Sequence, residues 1–290
     1  MKYYLDTNIL YQIRKVPDSV LLSCCYSVFN LIELLANITS ETFDKRKTIL
    51  GYVINSAASC DCCFPEEILF RSFDYFNDYE FTEERSVDLF WIIDDVLKCD
   101  SFPAFQVRTA LVKKEYDFYH FLAVDTFMTK NFYEATVKGM SIVKDEFRKA
   151  NGKIAVDLAG KQFDIGSRRK LLEFLNEPLI DASFNILALA TEAQRLFACK
   201  PGQATERAIY ESYNGQLHIF VNGFSEYSKR LILNDALPSR NDFQDLTHLY
   251  YLRNAMTIKL VSSDKLFKKN VPKHVISLET LLQGAATSNN

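Results

Sequence analysis

The sequence predicts an α/β protein, a parallel sheet interrupted by a large, mostly α-helical insertion. Two observations predict the sheet. Short apolar strands alternate with helices over residues 1–56, and the same alternation resumes over residues 236–290. A third observation defines the insertion. Residues 57–235 place apolar side chains at three- and four-residue spacing, with no convincing run of alternating strands and no repeat period.

The elements follow in order. Residues 3–5 (Tyr-Tyr-Leu) form a strand, and Asp6-Thr7-Asn8 caps a helix reaching about Lys15. Residues 20–23 read as a second short strand. Ser27 opens a strong helix over 28–36, and a further helix covers 41–55. Helices of the insertion are expected at 66–76, 83–97, 105–131, 132–151, 167–175, 178–197 and 205–232. Pro238-Ser239-Arg240-Asn241 is a turn and cap, 242–254 a helix and 256–262 a strand, with Ser263-Asp264 at its carboxyl end. Residues 274–277 make a last strand and 278–282 a terminal helical turn, and 284–290 should fray.

Composition excludes several classes. A net charge of −3 over 290 residues is not that of a basic nucleic-acid coat, though it leaves room for a local basic groove. Gly (9) and Pro (7) are too scarce for a collagen-like or turn-rich chain. Asp6 interrupts the first apolar residues before a signal-peptide core can form, and no window approaches a membrane span. The seven cysteines therefore read as reduced thiols of a cytoplasmic protein. Cys60, Cys62 and Cys63 lack the paired spacing of zinc ligands, and the four histidines are scattered. No G-x-x-x-x-G-K-[ST], G-x-G-x-x-G or G-x-S-x-G occurs. Asp6-Thr7-Asn8 is also not the Asp-x-Asp of a haloacid-dehalogenase phosphatase.

Four acids stand at the ends of these elements. Asp6 follows the first strand, and Asp264 follows a late one. In parallel α/β sheets, ligands bind outside the carboxyl ends of strands, where both would project. Glu33 interrupts an apolar helical stripe and so needs a partner, and Asp245 lies in the first turn of a late helix. Taken singly, Asp6 can be an N-cap, Asp245 a complement to a helix dipole, and Asp264 a turn residue. Converging carboxylates repel unless a cation offsets them, and oxygen-only ligands suit Mg²⁺ or Mn²⁺. Such an ion polarises a phosphate and acidifies a bound water, as phosphodiester hydrolysis requires.

The stretches YLDTN, SVFNLIELL, NDFQDLTHLYYL and KLVSSDKLF resemble, in order, the motifs of the PIN-domain nucleases. The resemblance assigns catalytic and metal-holding roles to Asp6, Glu33, Asp245 and Asp264. Thr7, Asn8 and Ser263 match the polar residues that support these acids, and Asp242, three residues before Asp245, is a second candidate for the third acid. It implies a three-layer α/β/α fold and Mg²⁺- or Mn²⁺-dependent cleavage of single-stranded or structured RNA. It covers residues 1–56 and 236–282 only. The family includes RNA-processing enzymes and the toxins of toxin–antitoxin pairs, but those toxins are much shorter than this chain. DNA as substrate, or a non-catalytic scaffold whose insertion binds a partner protein, are the alternatives.

Charge is unevenly distributed. Residues 1–56 and 236–290 carry 13 Lys and Arg against 9 Asp and Glu, and the middle carries 21 against 28. The core is thus positive despite its acids, which suits contact with phosphates. Lys265, Lys268, Lys269 and Arg240 are the leading candidates to bind nucleic acid, followed by Arg14, Lys15, Lys45, Arg46 and Lys47. The acidic insertion reads better as a lid, an oligomer interface or a docking module for a protein partner. The aromatic stretch 116–121 reads as helix core rather than a base-stacking platform.

Overall fold

The computed structural model of the chain describes residues 2–36, 38–80, 84–112, 118, 133–134, 136–141, 145, 155–158, 161–164, 167–177, 182–197, 202–253 and 257–288. It divides into two compact units. The first comprises Met1–Ile68, Tyr79–Phe127 and Tyr251–Asn290, and the second Leu69–Asp78 and Met128–Tyr250.

The first unit is α/β. Its strands are β1 (Lys2–Leu5), β2 (Cys24–Ser27), β3 (Ser59–Asp61), β6 (Ile258–Val261) and β7 (Val275–Ile276). They form one sheet in the order β3-β2-β1-β6-β7, with every pairing parallel. β1 is central, pairing Tyr3 with Cys24 on one side and Lys259 on the other, and its Tyr4 and Leu5 are wholly buried. The chain winds outward from β1 to β3, then resumes beside β1 with β6. Right-handed crossovers place the connections of the two halves on opposite faces, which is compatible with a three-layer arrangement. The strand order reverses between β1 and β6, the switch point where parallel sheets open a crevice at their carboxyl ends.

Around the sheet lie α1 (Thr7–Leu10), α2 (Asp18–Leu21), α3 (Val28–Ala36) and α4 (Phe43–Ile54). They are followed by α5 (Pro65–Arg71), in which the chain passes into the second unit, and by α6 (Glu84–Lys98) and α7 (Phe102–Val112). Leu31, Leu34 and Leu35 of α3 are buried with Leu50 and Val53 of α4 and Leu89, Ile92 and Val96 of α6 in one core. That spacing of three and four residues is the reason these segments are helices. The unit ends with α13 (Lys265–Asn270) and α14 (Leu278–Ser288).

Sequence and structure differ in instructive places. Residues 20–23 were expected to be a strand, but Val20 and Leu21 lie in α2, and the strand begins at Cys24. Pro17 stands at the N-cap and Asp18 in the first turn, a helix-opening pair that overrides a short apolar run. The expected helix from Asp6 to Lys15 is α1 followed by a 3-10 turn over Ile13–Lys15. The strand β3 falls in the expected insertion, because an edge strand of three residues, Ser-Cys-Asp, carries no hydrophobic pattern. Residues 284–288, expected to fray, continue α14.

The second unit is mainly helical. Its helices are α8 (Arg168–Leu175), α9 (Ser183–Leu196), α10 (Gln203–Glu211), α11 (His218–Leu233) and α12 (Arg240–Thr247). An antiparallel hairpin of β4 (Ala155–Leu158) and β5 (Lys161–Asp164) was not foreseen; the two residues separating its strands include Gly160, the signal for it. The expected helix 205–232 is broken into α10 and α11. The break falls at Asn214-Gly215, where Gly215 has φ 85° and the Asn214 N–H bonds the Ser72 carbonyl at 3.0 Å. Residues 236–250 belong to this unit, although the sequence pattern grouped them with the sheet. Expected helical residues 113–117, 119–132, 146–151 and 178–181 lie outside the described residues.

Two stability predictions follow from this packing. Gly215→Ala meets no atom within 4 Å of the added Cβ, so its cost is the backbone strain alone, about 1–2 kcal/mol by chemical denaturation. Burial pushes the Cys24 thiol from an ordinary 9.0 up to about 12, and the Cys25 thiol up to about 11, aided by the Asp61 charge. Both pKa values are raised on folding, so the stability they report is present below pH 9.0 and is lost as pH rises toward the folded values. Denaturation midpoints should therefore fall between pH 8.5 and 10, and fall less in the Cys24→Ala/Cys25→Ala variant.

Candidate functional site

The site is built at the carboxyl ends of β1 and β6. The Asp6 N–H still bonds the Val261 carbonyl at 3.1 Å, continuing the ladder. Its own carbonyl accepts from the Ile9 and Leu10 N–H groups at 2.8 and 3.2 Å, opening α1. Asp6 thus occupies the N-cap position, yet its side chain makes no capping bond. The carboxylate, buried to 3 % exposure, instead accepts from Ser262 Oγ at 2.7 Å and from Asn8 Nδ2 at 3.4 Å. The plain N-cap reading of this residue therefore does not account for its carboxylate.

Asp264 is used differently. It caps α13, its Oδ1 accepting the Leu266 N–H at 2.7 Å. Its own N–H donates to Ser262 Oγ at 3.0 Å. One buried hydroxyl, Ser262, therefore links the two acids across the switch point.

Glu33 projects from the middle of α3, half-buried, and accepts a hydrogen bond from Thr7 Oγ1. Thr7 is held in turn by Asn30 Nδ2 at 2.9 Å. Asn30 is fully buried and satisfied at both ends of its amide. Its Nδ2 also donates to the Leu5 carbonyl at 3.2 Å. Its Oδ1 receives the Ser27 N–H at 2.8 Å, Ser27 Oγ at 2.9 Å and the Tyr4 hydroxyl at 3.0 Å. The Asn30 N–H returns a bond to Ser27 Oγ at 3.3 Å, so Ser27 and Asn30 form a reciprocal cap at the start of α3.

Negative charge converges here. Burial pushes the Tyr4 phenol well above its ordinary range, and the charges of Tyr251, Glu33 and Asp6 raise it further. The Tyr4 ring stacks on Tyr251 at 5.3 Å. Lys265, Lys268 and Lys269 are exposed on α13, immediately after Asp264.

Of the expected set, hydrogen bonds link Asp6 with Asn8 and, through Ser262, with the Asp264 N–H, and separately link Glu33 with Thr7. Ser263 is exposed, and the supporting hydroxyl is that of its neighbour Ser262. Arg240, Asp242 and Asp245 lie on α12 in the second unit. There Asp242 accepts from the Tyr227 hydroxyl at 2.9 Å, and its N–H bonds Ser239 Oγ at 3.0 Å. Asp245 is half-buried. Ser27, Asn30 and Ser262 were missed from sequence, although Ser27-x-x-Asn30 is a legible capping pattern.

The donor set of Asp6, Glu33 and Asp264 is all oxygen and suits a hard divalent cation in kind. Hydroxyl and amide donors hold these carboxylates, and among the described residues no three His, Cys, Asp or Glu side chains are grouped as metal ligands. Among the same residues no helix is long and apolar enough to cross a membrane. Fold and site together define an α/β protein with acids at the switch point of a parallel sheet. Comparison with family models, curated proteins and solved structures finds no match to this chain.

Asn30→Ala should cost about 1–3 kcal/mol in chemical denaturation, because it strands buried donors at Ser27 and Tyr4 rather than merely deleting bonds. Asn30→Asp should not restore stability, since it replaces the Nδ2 donor with an acceptor facing the Leu5 carbonyl.

Proposed function

We propose that this chain is a metal-dependent endonuclease of PIN type that hydrolyses phosphodiester bonds in RNA. One observation carries the reading. The Asp6 carboxylate stands at the end of the central strand, beside the switch point, without serving its own helix, and is tied through Ser262 to Asp264. Glu33 joins through the Thr7–Asn30 bonds. A structural cap alone would not need this buried carboxylate and its hydroxyl and amide partners.

In this reading Asp6, Glu33 and Asp264 of the first unit would hold Mg²⁺ or Mn²⁺. The ion supplies Lewis acidity toward a phosphate oxygen and a more acidic water. The chain's own residues do the rest. Ser262 and Asn8 orient the Asp6 carboxylate, and Thr7 orients that of Glu33. Lys265, Lys268 and Lys269 draw the phosphate backbone toward the carboxyl end of β6. The acidic insertion read from the sequence, residues 57–235, would contact a protein partner or a second copy of the chain rather than the nucleic acid.

The test is cleavage of labelled single-stranded RNA, structured RNA and DNA, with Mg²⁺, with Mn²⁺ and with EDTA. Cutting of RNA that needs the metal, and that falls at least about a hundredfold in Asp6→Asn while the fold survives, is the expected result. Cutting confined to DNA would move the substrate. No cutting of any substrate, or full cutting by Asp6→Asn, would overturn the site and favour a scaffold whose helical unit docks a partner.

A further inference from the structure

The first unit carries a second feature that the carboxylate site does not use. Residues 10–14 and helix α4 enclose an open groove of about 590 Å³. Leu10, Ile13 and Ile49 form its apolar floor, and Arg14, Lys45 and Tyr52 stand on its walls. The volume falls within the range of small-ligand sites, about 300–1,000 Å³.

Two cations, Arg14 and Lys45, line the groove, and Arg46 follows Lys45 on α4. The Arg14 guanidinium lies 4.4 Å from the centre of the Tyr52 ring. Lys45 Nζ and the Arg46 guanidinium lie 5.4 and 5.0 Å from the centre of the Tyr11 ring. Among the described residues none of these three cations forms an ion pair, whereas Arg253 is paired with Asp61 and Arg108 with Asp95. Asp44 is the one acid lining the groove, and it leaves the charge there positive. Burial pulls the Arg46 guanidinium below its usual value, as expected where a cation lacks a carboxylate partner. A tyrosine face holds a cation in place without neutralising it, and keeps a guanidinium fork available for a phosphate. Tyr52 is 39 % exposed, so an aromatic surface adjoins the cations.

We propose that this groove binds a nucleotide, its phosphate between Arg14 and Lys45 and its base against Tyr52. The same chemistry serves a free mononucleotide and one residue of a single strand. The occupant must be both anionic and planar, since the walls offer unpaired cations beside an exposed ring. Inorganic phosphate lacks the base and adenosine lacks the phosphate, so each alone binds more weakly than the nucleotide.

Binding is measured in EDTA on the intact chain, which keeps it apart from cleavage. The probes are AMP, UMP, adenosine, inorganic phosphate and a fluorescein-labelled twelve-nucleotide oligouridylate. Arg14→Gln/Lys45→Gln should weaken binding at least about tenfold and reduce the salt slope for the oligonucleotide by about 1.4. Tyr52→Leu should weaken it at least about fivefold, and Lys98→Gln, elsewhere on the surface, should leave it unchanged. Thermal melting confirms that each variant is folded. Saturable binding of AMP or UMP that competes with the oligonucleotide identifies a mononucleotide site, and binding of the oligonucleotide alone identifies a strand site. No binding of any nucleotide, or equal binding in both groove variants, overturns the proposal. Loss of cleavage in Asp6→Asn with groove binding intact would bear on the carboxylates only.

Discussion

The buried amide of Asn30 is the interaction on which the carboxyl end of the sheet depends. A primary amide has two donors and one carbonyl oxygen, and burying it unsatisfied would cost about 1–3 kcal/mol per lost partner. Here it is fully buried and engaged at both ends. It joins the last carbonyl of β1, the last residue of β2, the Tyr4 hydroxyl and the Thr7 hydroxyl. Two parallel strands end where this one side chain can satisfy both. The positions of Asp6 and Glu33 follow, because one is the residue after Leu5 and the other is bonded to Thr7.

Asp6 and Asp264 show how the same local position yields two uses of a carboxylate. Each follows a neighbouring parallel strand, and each stands at the N-cap of a short helix. Asp264 caps with its side chain. Asp6 is buried to 3 % exposure and lies beside Ser262, whose hydroxyl competes for the same oxygen lone pairs. The hydroxyl on β6's end thereby aims the carboxylate across the switch point rather than back onto α1. A buried carboxylate needs such donors in any case, so the fold's demand for satisfied polar groups and the site's demand for orientation coincide.

Much of the sheet end was legible in the sequence. Asp6, Glu33 and Asp264 could be placed on the right elements because β1, α3 and β6 have clear hydrophobic periods around them. Ser262 was passed over for Ser263 because two adjacent serines differ only in which face of the strand end they take. That is settled by the register of β6 against β1, which pairs Val261 with Leu5. β3 was invisible for a related reason. Its three residues gain stability from an edge pairing with β2, a long-range contact that leaves no local pattern. The hairpin β4–β5 was hidden by the helical expectation on either side of it.

The lysines of α13 and the cations of the groove illustrate why position in a helix matters more than charge counts. Lys268 and Lys269 lie in the last turn of α13, where a positive charge complements the helix dipole whether or not a phosphate is present. Their exposure therefore has a sufficient structural cause. Arg14 lies likewise in the last turn of the 3-10 segment Ile13–Lys15, but Lys45 and Arg46, in the first turn of α4, have no comparable cause and rest on the Tyr11 ring without ion pairs among the described residues. Tyr11 is five helical-chain residues beyond Asp6, about 7.5 Å at the helical rise. Asp6 thus stands at the N-cap of α1, and Tyr11, whose ring carries Lys45 and Arg46, stands at its C-cap. Under the proposed function, a polyanionic strand would have its charge offset along the groove as well as by the α13 lysines, with its reacting phosphate toward the acids.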